Sequence, residues 1–258
     1  MQVFANESAA LAREKLSTAC VEMKRLLDAL RDPHHGRVAD EIHAIRKQGK
    51  ILRGGFELFR LKPTAGREIQ AIGRLLSGSR DAVSRCSTWR KLDVSGDEQT
   101  VAAIAALLEQ QIHISTRRPP EVSINWCHAR VDAAMELLDS LPARELPERV
   151  SKGWKKLQRR ARKLCHSLER RNEHRFHEAR KALKAWSGAA VFLTDEHPLK
   201  EPAPALMEEL GDENDLTVLA AWLRTHGFTP RFAPGVWDIL EQKQNKLRRH
   251  LVKAGLAL

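Results

Sequence analysis

Tyrosine is absent from the 258 residues, and aromatic side chains make up only 5% of them. β-Branched residues are sparse too. No segment shows the two-residue alternation of a half-buried strand, so a sheet is disfavoured. No run approaches the eighteen or so uninterrupted apolar residues that a membrane-crossing helix needs, which excludes a membrane-spanning role by helices. Cys20, Cys86, Cys127 and Cys165 form no CxxC pair and no metal-ligand spacing, and they read as reduced thiols in helices of an intracellular protein. The opening MQVFANESAALAREKL has neither an apolar signal core nor a cleavage-like site, so the expected location is the cytoplasm. Ser-His-Asp and Cys-His signatures are missing as well. The expectation is a non-enzymatic chain with no cofactor and no metal.

Positive charge is what the sequence has in excess. Lys and Arg number 44 against 33 Asp and Glu, a formal net charge of +11. That balance favours a polyanionic partner: nucleic acid, an anionic membrane surface or a phosphate polymer.

Apolar residues recur every three or four positions almost throughout, which predicts an all-α protein. Helices are expected at about 8–30, 38–61, 66–91, 97–114, 122–141, 145–171, 173–194, 204–226 and 234–255. The breaks between them carry helix-stopping residues. Pro33 with His34, His35 and Gly36 divides the first pair, and Pro63 with Gly66 the second. Pro119-Pro120 ends the first half of the chain, Pro198, Pro202 and Pro204 mark a later loop, and Pro230, Pro234 and Gly235 mark the last. No heptad continues through neighbouring helices, which favours packed bundles over an extended coiled coil.

Self-similarity is the strongest signal. Ile42-His43-Ala44-Ile45-Arg46-Lys47-Gln48-Gly49-Lys50 and Phe176-His177-Glu178-Ala179-Arg180-Lys181-Ala182-Leu183-Lys184 share one pattern, apolar-His-x-x-Arg-Lys-x-x-Lys, 134 residues apart. Leu76-Ser77-Gly78-Ser79-Arg80-Asp81 and Leu210-Gly211-Asp212-Glu213-Asn214-Asp215 repeat at the same offset of 134. Two motifs with one offset argue for duplication, with similar halves at about 1–118 and 119–258 of a single domain.

At about 100° per residue, His43, Arg46, Lys47, Lys50 and Arg53 share an arc of roughly 120° and a length of about 15 Å. Ile42, Ile45, Leu52, Phe56 and Phe59 take a separate arc toward the core. In the second copy His177, Arg180, Lys181 and Lys184 form the stripe, while Phe176, Ala179, Leu183 and Trp186 face inward. Like charges at i,i+4 repel by a few tenths of a kcal/mol, so a duplicated cationic stripe is easier to understand if an anion compensates it. For a single such helix a solvated face is the favoured reading, and it is the repetition in both halves that reverses the preference. Two more helices extend the set. Lys152, Lys155, Lys156, Arg159, Arg160, Arg162 and Lys163 lie opposite Val150, Trp154, Leu157, Ala161, Leu164 and Leu168. Near the C-terminus Lys243, Lys246, His250 and Lys253 repeat the spacing of His43, Arg46, Lys50 and Arg53, although cations there also suit the helix dipole.

The doubled His-x-x-Arg-Lys-x-x-Lys helix, each copy followed some 35 residues later by an Arg-Asp or Asn-Asp segment, resembles the conserved-histidine α-helical (CHAD) family over nearly the whole chain. The resemblance implies two helical bundles related by pseudo-twofold symmetry, with basic side chains lining a central cavity or pore. It also implies binding of inorganic polyphosphate and association with polyphosphate granules, without catalysis. The chain departs from this pattern where Ser187 stands at the position equivalent to Arg53, and Gly49 and Gly54-Gly55 loosen the first motif helix by roughly 1 kcal/mol each relative to alanine.

The chemistry is consistent with that ligand. Polyphosphate has a charge on every unit and no base to read, so its binder needs many cations. Arg supplies a planar two-pronged donor and Lys a mobile point charge. His43 and His177 either donate to phosphate, more strongly when protonated, or hold their helices in place. Asp81 and Asp215 either orient an Arg or His of the motif helix or accept local helix-end hydrogen bonds. Nucleic acid is the competing ligand, since backbone phosphates dominate its affinity too. It would ordinarily require stacking or groove-reading groups, and Trp154 and Trp186 sit on apolar arcs instead. Glu208, Glu209, Asp212 and Asp215 suggest a Mg²⁺ site only weakly, because acidic residues near a helix start suit its dipole.

Overall fold

The computed structural model describes residues 6–258 apart from 33, 35, 36, 95, 96, 116, 117, 194–198, 200 and 201. Pro33, His35, Gly36 and Pro198, named above as helix breaks, lie outside the described residues, as do the side chains of Gly78, Ser79 and Arg80. Among the described residues the fold is all-α, with ten α-helices and no strand. They are α1 (Asn6–Ala29), α2 (Val38–Leu58), α3 (Ala65–Leu75), α4 (Ser77–Arg90) and α5 (Glu98–Ser115), then α6 (Glu121–Asp139), α7 (Leu146–His166), α8 (Glu173–Ala190), α9 (Ala203–Thr225) and α10 (Pro234–Gly255). A single 3₁₀ turn, Ala143–Glu145, leads into α7.

Two departures from the expected boundaries have local causes. The helix expected over 66–91 is broken at Leu76, whose ψ of 20° ends α3 before Ser77 starts α4. Ser77 and Gly78 are weak helix formers, and a Gly/Ser pair is a usual site for a break. The helix expected to reach 61 stops at Leu58, because Arg60 takes φ 63° and lets the Leu61 amide donate to the Phe56 carbonyl at 2.7 Å. That is a helix-terminating bond pattern usually built on glycine.

The chain divides into two compact units, and each draws segments from both sequence halves. The first comprises Met1–Ser77, Arg118–Ala161 and Lys181–Lys200. Within it α1 packs on α2 and α6, and α3 packs on the same two helices, so four amphipathic helices close around one core. Leu16, Met23, Leu27, Ile45, Leu52, Phe56, Phe59, Ile69 and Ile72 are fully buried there. At about 25 cal/mol per Å², each such side chain contributes roughly 1.5–3 kcal/mol of burial free energy.

Three glycines let helices of this unit touch backbone to backbone. A Cβ on Gly54 of α2 would lie 2.6 Å from the Ala189 nitrogen and 2.7 Å from the Ala185 oxygen of α8. From the other side, a Cβ on Gly188 would lie 3.2 Å from the Ile51 backbone. A Cβ on Gly153 of α7 would lie 1.9 Å from the Leu58 carbonyl oxygen. Gly54 therefore weakens α2 as a helix former but permits its backbone contact with α8. Beside these crossings Trp154 and Trp186 meet at a ring separation of 5.8 Å.

The second unit comprises Gly78–Arg117, Arg162–Arg180 and Glu201–Leu258. Its core gathers Cys86, Trp89, Leu92, Ile104 and Leu108 with Leu216, Leu219, Leu223, Phe228, Trp237 and Leu240. Inside it lies an ion pair: Arg248 donates through Nε to Glu213 Oε1 at 2.8 Å, and both residues are buried. No described helix is long and apolar enough to cross a membrane.

Candidate anion-binding surface

The two motif helices present their charges in the same way. On α2, His43 and Lys47 are exposed while Arg46, Lys50 and Arg53 are half-buried. On α8, His177 and Lys181 are exposed while Arg180 and Lys184 are half-buried. Ile42, Ile45, Leu52, Phe56 and Phe59 are buried behind the first stripe, and Phe176, Ala179, Leu183 and Trp186 behind the second. The angular sorting expected from a 100° step is therefore the sorting found.

In the first unit the stripe borders a pocket of about 250 Å³ between α2 and α3. Arg46, Lys50 and Arg53 line it from α2, α3 adds Gln70 and Arg74, and Ser77 joins them from the start of α4. Its floor includes the buried Met23, Ile45 and Ile69, and no carboxylate is among the lining residues. Arg46 is held in place by donating through Nη1 to the Gly73 carbonyl at 2.8 Å. Burial lowers the Arg53 pKa; Glu57 opposes that shift, and the like charge of Arg74 adds to it. The guanidinium still keeps its charge, and an anion entering the pocket would relieve both costs.

Two carboxylates of the first unit, Glu57 and Glu68, pair with cations outside the pocket lining. Glu57 is 7% exposed and accepts from Lys62 Nζ at 2.9 Å and from Arg160 Nη1 at 3.4 Å. Glu68 accepts from Arg130 at 2.7 Å. Arg160, grouped by sequence with the α7 face, is thus a structural partner of Glu57. The rest of that face behaves as expected: Lys155, Lys156, Arg159, Arg162 and Lys163 are exposed, and Lys152 is exposed but paired with Glu148 one turn earlier. Val150, Leu157, Ala161 and Leu168 are buried on the opposite side.

On α8, His177 Nδ1 lies 2.9 Å from Asn214 Oδ1, and the Asn214 amide donates to Asp215 Oδ1 at 3.3 Å. The Asn-Asp segment does contact the motif histidine, but through Asn214, with Asp215 behind it. This arrangement requires Nδ1 to carry the proton and leaves Nε2 as the atom open to a ligand. On α10, Lys243 donates to the Lys91 carbonyl at 2.7 Å, and His250 lies 3.2 Å from Glu209. Lys246 and Lys253 are exposed.

Sequence reasoning did not find Arg74, Gln70 or Ser77. A repeat search passes over Arg74 and Gln70, because the positions 134 residues later hold Glu208 and Pro204, and it returns Ser77 only as part of the repeated Leu76–Asp81 segment, with no role of its own. It also missed Arg248, which lies on the buried side of α10.

Comparison with known proteins agrees with this architecture. A solved structure titled PptA from Streptomyces chartreusis superposes with a TM-score of 0.69 at 17% identity, covering 96% of this chain and 95% of that one. At that identity the likeness shows a shared fold. Comparison with curated proteins returns no match. The CHAD domain profile matches residues 23–224, which span α2, α8 and the whole basic pocket, and the chain therefore belongs to the CHAD domain family.

Proposed function

We propose that this protein binds inorganic polyphosphate on its basic helix faces, lining a basic cavity, without catalysis and without a metal, in the cytoplasm and in association with polyphosphate granules. The CHAD family is known to bind polyphosphate. The observation that carries the reading here is the α2–α3 pocket, where four cations converge with no carboxylate among the lining residues. Such a concentration of like charge is costly in the free protein and is offset when phosphate oxygens enter. His43, Arg46, Lys47, Lys50 and Arg53 form the first contact stripe, and His177, Arg180, Lys181 and Lys184 the second. Lys155, Lys156, Arg159, Arg162 and Lys163 continue it along α7.

Two observations support an internal duplication with pseudo-twofold symmetry. Shifted by 134 residues, α1, α2 and α5 fall on α7, α8 and α10, and α3 with α4 falls on α9. Gly54 and Gly188 are themselves equivalent under that shift, and each packs against the other's helix, as a twofold contact requires.

Titration with long-chain polyphosphate, triphosphate, single-stranded DNA and RNA at matched phosphate and salt tests the proposal. Long polyphosphate is expected to bind tightest. The variant Arg46→Ala/Lys50→Ala/Arg180→Ala/Lys184→Ala should lose most of that affinity while keeping its helicity. Equal or better binding of nucleic acid across a salt series would transfer the surface to a nucleic-acid role.

A further inference from the structure

We infer that the pocket between α2 and α3 is a subsite for a terminal phosphate, the doubly charged end of a chain, and not for the chain interior. This rests on the polyphosphate reading and narrows it.

Shape is the first reason. The pocket lies between α2 and α3, and Met23, Ile45 and Ile69, all buried in the core of the first unit, line its inner side. An interior phosphate carries a neighbour on each side, so it can lie along a surface but cannot enter such a recess without folding both neighbours in. A chain end has one neighbour and enters directly.

Charge is the second. An interior unit carries one negative charge on two non-bridging oxygens, whereas a terminal unit carries up to two on three. Arg53 and Arg74 alone bring two cations to the pocket, beside the neutral donors Gln70 and Ser77, against the single charge of an interior unit. Three oxygens converging on guanidinium forks and hydroxyl or amide donors match the terminal group.

Asymmetry between the repeats is the third. The cations shared by both copies, Arg46 with Arg180 and Lys50 with Lys184, suit contact anywhere along a polymer. Those that complete the recess are unshared: Arg53 corresponds to Ser187, and Arg74 corresponds to Glu208. A chain has few ends and many interior units, so a single specialised recess beside a duplicated stripe fits that stoichiometry.

Gly73 sets access. A Cβ there would meet nothing within 4 Å, so the residue keeps space open beside the carbonyl that anchors Arg46. A Gly73→Leu substitution fills that space without removing a charge.

The test uses the full chain and long-chain polyphosphate of one length in two forms, with free ends and with both ends capped as small alkyl esters. Wild-type protein should bind the free-ended form about tenfold more tightly, the effect of losing one charge-assisted contact set. Gly73→Leu should remove that difference. Arg74→Gln, which adds no bulk, should shrink the difference in the same direction and covers the case in which Gly73→Leu does not fold. Equal binding of both forms by the wild type overturns the end assignment while leaving polyphosphate binding intact; failure of both forms to bind overturns the underlying reading as well. A third arm uses phenyl phosphate. If it competes as well as triphosphate does, the recess is a general phosphomonoester site and the chain-end assignment falls.

Discussion

Substituting alanine for glycine at two helical positions should change stability in opposite directions. At Gly153 the new Cβ would lie 1.9 Å from the Leu58 carbonyl oxygen, 2.7 Å from its carbon and 3.0 Å from its Cα. All three are backbone atoms, so no side chain can swing aside, and α7 must move off the end of α2 by more than about 1 Å to restore an ordinary contact. Overpacking of this kind costs about 1–3 kcal/mol, and a backbone obstacle places it at the upper end. Alanine's better helix propensity returns about 1 kcal/mol, leaving a net loss of about 2 kcal/mol. For a chain of this length that lowers the melting temperature by about 4–8 °C. At Gly211, inside α9, a Cβ meets nothing within 4 Å. There the propensity gain stands alone, about 1 kcal/mol and about 2–4 °C upward. Far-UV circular dichroism melts of the two variants beside the wild type read both shifts. A Gly153→Ala protein as stable as the wild type would refute the close crossing of α7 over α2.

Two further outcomes follow from the charges and the thiols. If the stripes hold a flexible phosphate chain, log affinity should fall linearly with log salt at about 0.7 per contact, giving a slope near −6 to −8 for about eight to twelve contacts. Arg159→Ala/Lys163→Ala should reduce that slope by about one to two units, and triphosphate should flatten it; a shallow slope independent of chain length would indicate a compact pocket for a small ligand instead. Burial, with a smaller contribution from Asp139, pushes the Cys20 thiol up to about 12. Burial alone raises Cys127 to about 11 and Cys165 to about 12. A thiol reagent at pH 8 should therefore label these three only as fast as the protein opens, and rapid labelling of the native protein would contradict their burial.

The sequence reading reached furthest where one helix's periodicity decides the answer. The inward and outward arcs of α2, α7 and α8 follow from a 100° step, and burial sorts their residues accordingly. It reached less far where two helices must meet. Gly54 looked like a weak point of α2, because nothing in the local sequence says that the α8 backbone will lie against it. Arg74 went unnoticed for a related reason: it is one cation on a short helix, and it gains meaning only from facing Arg53 across the pocket. Arg160 shows the converse error of a sequence pattern that sorts by charge alone. Its position relative to the exposed cations is right to within one helical step, but the buried Glu57 claims it.

Arg248 makes the same point with a measurable energy. It stands five residues after Lys243, about 140° around the helix from it at 100° per residue, so it falls among Leu240, Leu247 and Leu251 and not with the exposed cations. The structure buries it with Glu213, which is 2% exposed. Besides the Nε bond, Arg248 Nη2 lies 2.7 Å from Glu213 Oε1 and 3.3 Å from Thr217 Oγ1, and the guanidinium sits 5.6 Å from the Phe176 ring centre. Removing one member of such a pair strands the other charge in a low-dielectric site, so Arg248→Ala should cost about 3–5 kcal/mol. Glu173, 3.3 Å from the same Nη2, is 56% exposed. Solvent screens it, and Glu173→Gln should change stability by less than about 1 kcal/mol. Replacing both buried charges, as in Arg248→Met/Glu213→Leu, removes the desolvation cost along with the attraction, and should restore most of the loss. Chemical denaturation of Arg248→Met, of Glu213→Leu and of the double variant gives the coupling energy directly, expected at about 2 kcal/mol or more. If the two single losses simply add in the double variant, the pair contributes no specific coupling, and the cation on the inner face of α10 is held by packing alone.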